Sequence, residues 1–167
     1  MFAATRLVGG LLATALGSTT RRRIAIAFAP ALAVLGLMVA PSTPALAATC
    51  SFSSGSMNAT VQLSDGSQHQ LLDGEFAGHY SGLTVTPSTT QVTSSGVEAQ
   101  CLLQRAGFSP GPIDGVFGPM SQTAARHFQA KVDSACHGVL VQDGIVGPKT
   151  WPWLRWYAED PIGCGGL

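Results

Sequence analysis

A six-residue phrase occurs twice in this 167-residue chain and constrains its local structure more than any other feature. The first copy, Asp114–Pro119, reads DGVFGP, and the second, Asp143–Pro148, reads DGIVGP 29 positions later. Asp-Gly favours a tight turn, because glycine adopts positive φ freely and aspartate can bond its own backbone. Gly-Pro favours a helix start, since proline in the first helical position removes an amide that would have no partner. The repeat therefore predicts two equivalent loop-to-helix junctions in one small helical module.

The first of three predicted helices precedes the first junction. It spans Val97–Ala106, with Ser94 or Ser95 as its N-cap and Gly107 as the residue that closes it. Its apolar residues recur at helical spacing, which indicates one buried face.

The other two helices begin at the two Gly-Pro junctions. The second runs from Pro119 to about Val132, and the third starts at Pro148. Pro152 would remove the hydrogen bond to the Pro148 carbonyl, so we expect the third helix to be bent or to begin late. The side chains expected inside the bundle are Ala99, Leu102, Leu103, Ala106, Phe117, Ala124, Ala125, Phe128, Trp151, Leu154 and Tyr157.

A β-hairpin is predicted upstream of the helices. Ala59–Leu63 and Gln68–Leu72 flank the turn sequence Ser64–Ser67, and apolar residues alternate on both sides of Asp-Gly. Leu83–Thr86 could add a third strand. Since an isolated hairpin is marginally stable in water, we expect it to pack against the helices.

Residues 97–154 closely resemble the three-helix peptidoglycan-binding module of bacterial cell-wall hydrolases and of many secreted actinobacterial proteins. The resemblance implies a small three-helix bundle with two loop-to-helix junctions. With the short hairpin before it and disulfides as staples, both expected from the residues themselves, the predicted fold class is mainly α. The matching positions are Gln100, Leu103, Gly107, Phe108, Asp114, Gly115, Phe117, Gly118, Pro119, Phe128, Gln129, Asp143, Gly144, Gly147, Pro148, Thr150 and Leu154.

Residues 1–47 are predicted to be a signal peptide. Arg21–Arg23 precede the apolar run Ile24–Ala40, and Ala45–Ala47 provide an A-x-A cleavage site. A membrane-spanning helix is disfavoured, because the run is shorter than the roughly 20 residues needed and contains proline. Export by a twin-arginine route, from Thr20–Ile24, and lipidation of Cys50 are the alternatives to ordinary secretion.

Charge and composition divide the remaining chain and restrict its partners. Five basic and nine acidic residues follow residue 47, a formal net charge of −4. An acidic product argues against binding to nucleic acid or to an anionic membrane, both of which require a basic surface. The predicted divisions are a hairpin segment at 48–86, a peptidoglycan-binding-like domain at 87–158 and a tail at 159–167.

All four cysteines follow the predicted leader, which is typical of two disulfides in an exported chain. Three pairings are possible; we favour Cys101–Cys136 within the helical module and Cys50–Cys164 between hairpin and tail. Zinc is disfavoured, because ligands at the adjacent positions Cys136 and His137 would point apart. We expect neither metal nor cofactor.

The chain shows no catalytic pattern of nucleophile and base, paired carboxylates or open metal site. A surface that binds peptidoglycan would combine backbone donors at helix starts with aromatic faces. We expect Trp153 and Trp156 to be the exposed aromatic residues, while Phe117 and Phe128 belong to the core. The candidate ligand-binding residues are Gly111, Pro112, Ile113, Asp114, Trp151, Trp153 and Trp156.

The resemblance implies binding to bacterial peptidoglycan, through the glycan or the stem peptide. With the leader and the lack of a catalytic pattern, it favours a secreted, non-catalytic protein that acts outside the cell or at its wall. A secreted protein-interaction or inhibitor protein that uses the same scaffold, with another secreted protein as its partner, is the alternative. A wall hydrolase of unrecognised type is the third hypothesis.

Overall fold

The structure is a computed structural model that describes residues 47–159. Residues 1–46 of the predicted leader and residues 160–167 of the predicted tail, with Cys164, lie outside this range. A hairpin is followed by three helices, in the predicted order. The elements are β1 (Ser53–Gln62), β2 (Gln68–Phe76), α1 (Ser94–Arg105), α2 (Pro119–Ala135) and α3 (Thr150–Glu159).

The predicted hairpin is confirmed, and both of its strands are longer than predicted. β1 and β2 pair antiparallel, and a bulge interrupts the register between Ser56 and Ala59. In the turn, Gly66 has a φ of 87°, and the Asp65 carboxylate accepts bonds from the Ser67 hydroxyl at 2.6 Å and its amide at 2.8 Å. These bonds from Ser67 lower the pKa of Asp65.

The predicted third strand at Leu83–Thr86 is wrong, because side chains hold the backbone groups that a strand would pair. The Tyr80 hydroxyl accepts from the amides of Thr84 at 3.2 Å and Val85 at 3.0 Å. The Val85 carbonyl accepts from the indole N–H of Trp151 at 2.9 Å. The segment is an irregular loop tied to α3 instead of a sheet edge.

α1 begins earlier than predicted, and its cap is a different residue. Ser94 is already helical, and the Thr93 hydroxyl accepts from the Gly96 amide at 3.0 Å. The prediction of Ser94 or Ser95 as N-cap is therefore wrong, although a side-chain hydroxyl caps the helix, as expected. Closure by Gly107 is confirmed, since this residue follows the helix with a φ of 87°.

α2 starts at Pro119 as predicted, whereas α3 starts late, which confirms one of the two outcomes expected for its proline. The amides of Thr150 and Trp151 both donate to the Gly147 carbonyl, at 2.9 and 3.0 Å. The helix begins at Thr150, so Pro152 is its third residue. It lies in the first turn, where helix amides have no intrahelical acceptor and a proline costs little.

The hairpin shares a hydrophobic core with the helices, which confirms that it packs against them. Val61 and Leu71 of the strands belong to one buried cluster with the inward faces of all three helices. Phe117 and Phe128 lie in this core as predicted. Of the helices in residues 47–159, none has both the length and the apolar character needed to cross a membrane.

A buried ion pair joins α1 and α3 beneath the segment 75–82. The Glu98 carboxylate and the Arg155 guanidinium are 2.7 Å apart, and neither side chain is exposed. Glu98 accepts from three backbone amides of residues 77–80 at 2.9 to 3.1 Å. Arg155 donates to three carbonyls of the segment at 2.6 to 3.2 Å. Burial lowers the pKa of Arg155, while the bond to Glu98 opposes this shift.

The disulfide pairing differs from the favoured one. Cys50 is bonded to Cys101, so Cys101–Cys136 and Cys50–Cys164 are both wrong. The segment that leads into β1 packs against α1 in a second small core, which brings Cys50 to Cys101. Cys136, at the end of α2, is also disulfide-bonded, and no cysteine in residues 47–159 is free.

Candidate functional site

The first Asp-Gly turn is held by the buried side chain of Gln100, which projects from α1. Its amide nitrogen donates to the Asp114 carboxylate at 3.0 Å and to the Ser121 hydroxyl at 3.1 Å, and its oxygen accepts from the Gly115 amide at 2.8 Å. The same nitrogen reaches the Val116 carbonyl at 3.1 Å. One glutamine thus joins α1, the turn and the first turn of α2.

The second turn is held in the same way by Gln129, which projects from α2. Its amide nitrogen donates to Asp143 at 3.1 Å and to Thr150 at 3.3 Å, and its oxygen accepts from the Gly144 amide at 2.8 Å. The nitrogen also reaches the Ile145 carbonyl at 3.1 Å. We call each of these arrangements a glutamine clamp.

The two glutamine clamps are copies of one structural unit, displaced by 29 residues. The displacement relates every member of the first clamp to its counterpart in the second: Gln100 and Gln129, Asp114 and Asp143, Gly115 and Gly144, Val116 and Ile145, and Ser121 and Thr150. The turns were predicted from the repeated phrase, but the glutamine roles and Ser121 were not. Extending the 29-residue comparison outwards from the phrase would have found them.

Both turn glycines adopt the conformation that the repeat predicts. Gly115 has a φ of 79° and Gly144 a φ of 78°. A Cβ atom at Gly144 would lie 2.5 Å from the Gln122 carbonyl oxygen, and one at Gly115 would lie 2.9 Å from the Val92 side chain. The turns therefore require glycine for backbone conformation and also for space.

Each clamp forms the floor of a surface cleft. Cleft 1 has a volume of about 180 Å³ and lies over the first clamp; its lining residues include Gln100, Pro110, Pro112, Asp114, Val116, Pro119, Met120 and Ser121. Cleft 2 has a volume of about 350 Å³ and lies over the second clamp; its lining residues include Gln129, Leu140, Val141, Asp143, Ile145, Pro148, Lys149 and Thr150. With one exception, the lining residues correspond at the same displacement of 29.

The structure brings only part of the predicted loop site to the surface. Pro112 is exposed and lines cleft 1, as does the partly exposed Asp114. Gly111 is partly buried beside Met120 and does not line the cleft. Ile113 is only 8% exposed and packs in the small core beside Cys50–Cys101, so its role is structural.

The predicted tryptophan surface is largely wrong. Trp153, expected to be exposed, has an exposed fraction of 1%. Trp151 is fully buried, as expected of a residue inside the bundle, and therefore cannot serve as a surface ligand. The hairpin and the loop before α3 cover this face, and Gly138 leaves room for the Trp153 ring. Trp156 is partly exposed and meets Trp153 edge to face with ring centres 5.8 Å apart. It lines neither cleft.

Backbone donors at the start of α3 are also fewer than expected. The amides of Thr150 and Trp151 are both used by the Gly147 carbonyl, and Pro152 has no amide hydrogen. Cleft 2 therefore presents side chains rather than a row of free helix amides.

A third cavity, of about 530 Å³, lies between the hairpin turn and the end of α2. It is lined by Asp65, His69 and His137, and the Ser64 amide closes it by donating to the His137 carbonyl at 2.7 Å. Within residues 47–159, no three side chains of the metal-binding types are grouped so that they could hold an ion.

The bundle, its paired glutamine clamps and their clefts form a small helical module. Residues 95–154 match the model of a protein family described as "Putative peptidoglycan binding domain". The match extends from α1 into α3 and includes both clamps, and it is to the family that the resemblance predicted. The hairpin precedes the matched residues. Comparisons with curated proteins and with solved structures gave no match.

Proposed function

We propose that the protein is a secreted, non-catalytic protein that binds bacterial cell-wall peptidoglycan through residues 95–154. The family match over these residues is the observation that carries the proposal. The same segment contains two clefts, each with an amide and carboxylate floor and apolar walls, and at least one of them is the surface for the polymer. Such surfaces suit a ligand that presents amides, hydroxyls and methyl groups.

Export is supported by the leader sequence and by the Cys50–Cys101 bond. Disulfides persist in oxidising compartments and are rare in the cytosol. Cleavage after Ala47 would leave Ala48 as the first residue. Its nitrogen lies 2.7 Å from the Ile113 carbonyl, so the new terminus would remain docked on the module.

The non-catalytic part of the proposal rests on the sequence, which lacks a recognisable hydrolase pattern. The turn aspartates, which are the obvious paired acids, are used structurally. Asp114 accepts from the Val116 amide at 3.0 Å and Asp143 from the Ile145 amide at 2.8 Å, in addition to the glutamine bonds. Carboxylates engaged in this way stabilise turns and are poorly placed to transfer protons.

Co-sedimentation with purified sacculi tests the proposal. The protein should pellet with sacculi and leave them intact, with no muropeptides in the supernatant, whereas chitin and cellulose should not retain it. Binding should be micromolar or weaker, because a small module with shallow clefts buries little surface. Release of muropeptides would favour an unrecognised hydrolase. Failure to pellet would favour the protein-interaction alternative.

A further inference from the structure

The floors of the two clefts are built alike, but the charges at their rims differ. The position of Met120 in cleft 1 is occupied by Lys149 in cleft 2. The position of the buried Val97 in α1 is occupied in α2 by Arg126, whose guanidinium donates to the Asp143 carbonyl at 3.4 Å. Among the lining residues, one cation accompanies the turn aspartate at cleft 2 and none does at cleft 1. Behind the lining of cleft 2, the charge of Arg126 is balanced by that of Asp133, which accepts from the Leu140 amide at 2.9 Å.

Lys149 is available to a ligand. Its side chain is exposed, and it forms no salt bridge within residues 47–159. Of the other cations, Arg155 is buried against Glu98 and Arg105 lies over the Phe52 ring at 5.3 Å. Lys131 is also exposed, but it lines neither cleft. In a chain whose exported part is acidic, Lys149 is therefore the cation that cleft 2 presents to solvent.

Cleft 2 is also the larger of the two, and its edge carries exposed apolar side chains. Val141 and Ile145 are 70% and 51% exposed at its edge, an arrangement that leaves two large apolar side chains facing solvent. A cavity of about 320 Å³ between the hairpin and α3 adjoins the cleft, and Leu140, Pro148 and Lys149 line both. Lys149 thus lies between two neighbouring spaces.

We propose that cleft 2, rather than cleft 1, binds the stem peptide of peptidoglycan, and that Lys149 selects it by pairing with a peptide carboxylate. The N-acetylated sugars of the glycan are mainly neutral, whereas stem peptides carry carboxylates and the small methyl side chains of alanine. A cation between apolar walls matches that combination. This inference rests on the proposed function and moves the principal site from residues 111–114 to the second copy of the repeat.

The repeat provides a matched pair of variants for the test. Lys149→Met gives cleft 2 the residue of cleft 1, and Met120→Lys gives cleft 1 the residue of cleft 2. Both side chains are exposed, with Met120 61% exposed, so neither change disturbs the core. The probes are a soluble disaccharide-peptide with free carboxylates, the same molecule with its carboxylates amidated, and glycan chains stripped of peptide. Affinities are measured by titration calorimetry, and each variant is also sedimented with sacculi.

We expect Lys149→Met to weaken binding of the disaccharide-peptide about fivefold, the effect of one accessible ion pair, and Met120→Lys to leave it within about twofold. The disaccharide-peptide with amidated carboxylates should bind the unmodified protein weakly. Its affinity should equal that of the disaccharide-peptide with free carboxylates for the Lys149→Met variant. Equal affinity of the protein and Lys149→Met for the native ligand would overturn the inference. If the protein pellets with sacculi but binds peptide-free glycan as tightly as it binds the disaccharide-peptide, the inference is also overturned, while the proposed function stays intact. Failure to pellet would instead refute the proposed function itself.

Discussion

Gln100 and Gln129 hold equivalent positions in the two halves of one 29-residue structural repeat. Each amide oxygen accepts from the turn glycine at 2.8 Å, and each amide nitrogen reaches the turn aspartate at 3.0 or 3.1 Å. Because both side chains are buried, these bonds replace the hydrogen bonds that the glutamine and turn groups would otherwise form with water, and they position the loop against the helix. The shape of both clefts depends on them.

Replacement of either clamp glutamine by leucine should destabilise the protein by roughly 2 to 4 kcal/mol. The apolar side chain fits the space but leaves a buried glycine amide and its neighbours without partners. Urea unfolding measures the effect. Gln104→Leu, on the exposed face of α1, is the control and should change stability by less than about 0.5 kcal/mol. Equal effects at Gln100 and Gln104 would contradict the clamp.

Gly144→Val should lower the melting temperature more than Gly66→Val does. Both glycines have positive φ, 78° and 87°, and both substitutions therefore introduce backbone strain of about 1 to 3 kcal/mol. Only Gly144 adds a steric clash, with the Gln122 carbonyl oxygen at 2.5 Å, since nothing lies within 4 Å of a Cβ atom at Gly66. Gly115→Val should behave like Gly144→Val. If the melting curves of Gly144→Val and Gly66→Val overlay, residue 144 does not lie as close to the Gln122 carbonyl oxygen as the structure shows.

Arg155→Met should be among the most destabilising single changes in the chain. It leaves the Glu98 carboxylate buried without its cation, which typically costs about 3 to 5 kcal/mol. The exposed Arg126 provides the control, and Arg126→Met should have little effect on stability. In a double-mutant cycle with Glu98→Gln, the two effects should be non-additive by more than about 1 kcal/mol. Additive effects would mean that the pair is not coupled.

Tryptic mapping without reductant should find Cys50 and Cys101 bridged within a single peptide. Arg105 is the first Lys or Arg after Arg23, so one fragment contains both cysteines, and its mass should rise by about 2 Da on reduction, one hydrogen per sulfur. Either of the pairings favoured from sequence would instead join this fragment to another. Loss of the bridge in Cys101→Ala should cost about 4 kcal/mol, the value for a loop of some 50 residues.

Local features of the fold could be predicted from sequence, and features created by the hairpin's packing could not. The Asp-Gly turns and the start of α2 are specified by neighbouring residues, which is why the repeated phrase predicted them. The burial of Trp153 depends on a hairpin about 80 residues earlier in the chain, and no local periodicity encodes it. The Cys50–Cys101 bond and the Glu98–Arg155 pair are likewise tertiary.

The candidate site shows the same division. The repeated phrase pointed to both loops, but the preference for residues 111–114 and the tryptophans came from residue type alone. The difference between Met120 and Lys149 points to cleft 2 only after the structure shows that both residues line equivalent clefts.

A binding isotherm on purified sacculi, measured by co-sedimentation of the exported protein, is the decisive test of peptidoglycan binding. We expect saturable binding with a dissociation constant in the micromolar range or above, with no release of muropeptides. Binding should persist at moderate salt, because apolar walls and a buried amide floor contribute alongside Lys149. Recovery of all the protein in the supernatant at low salt, over the whole concentration range, would contradict the account.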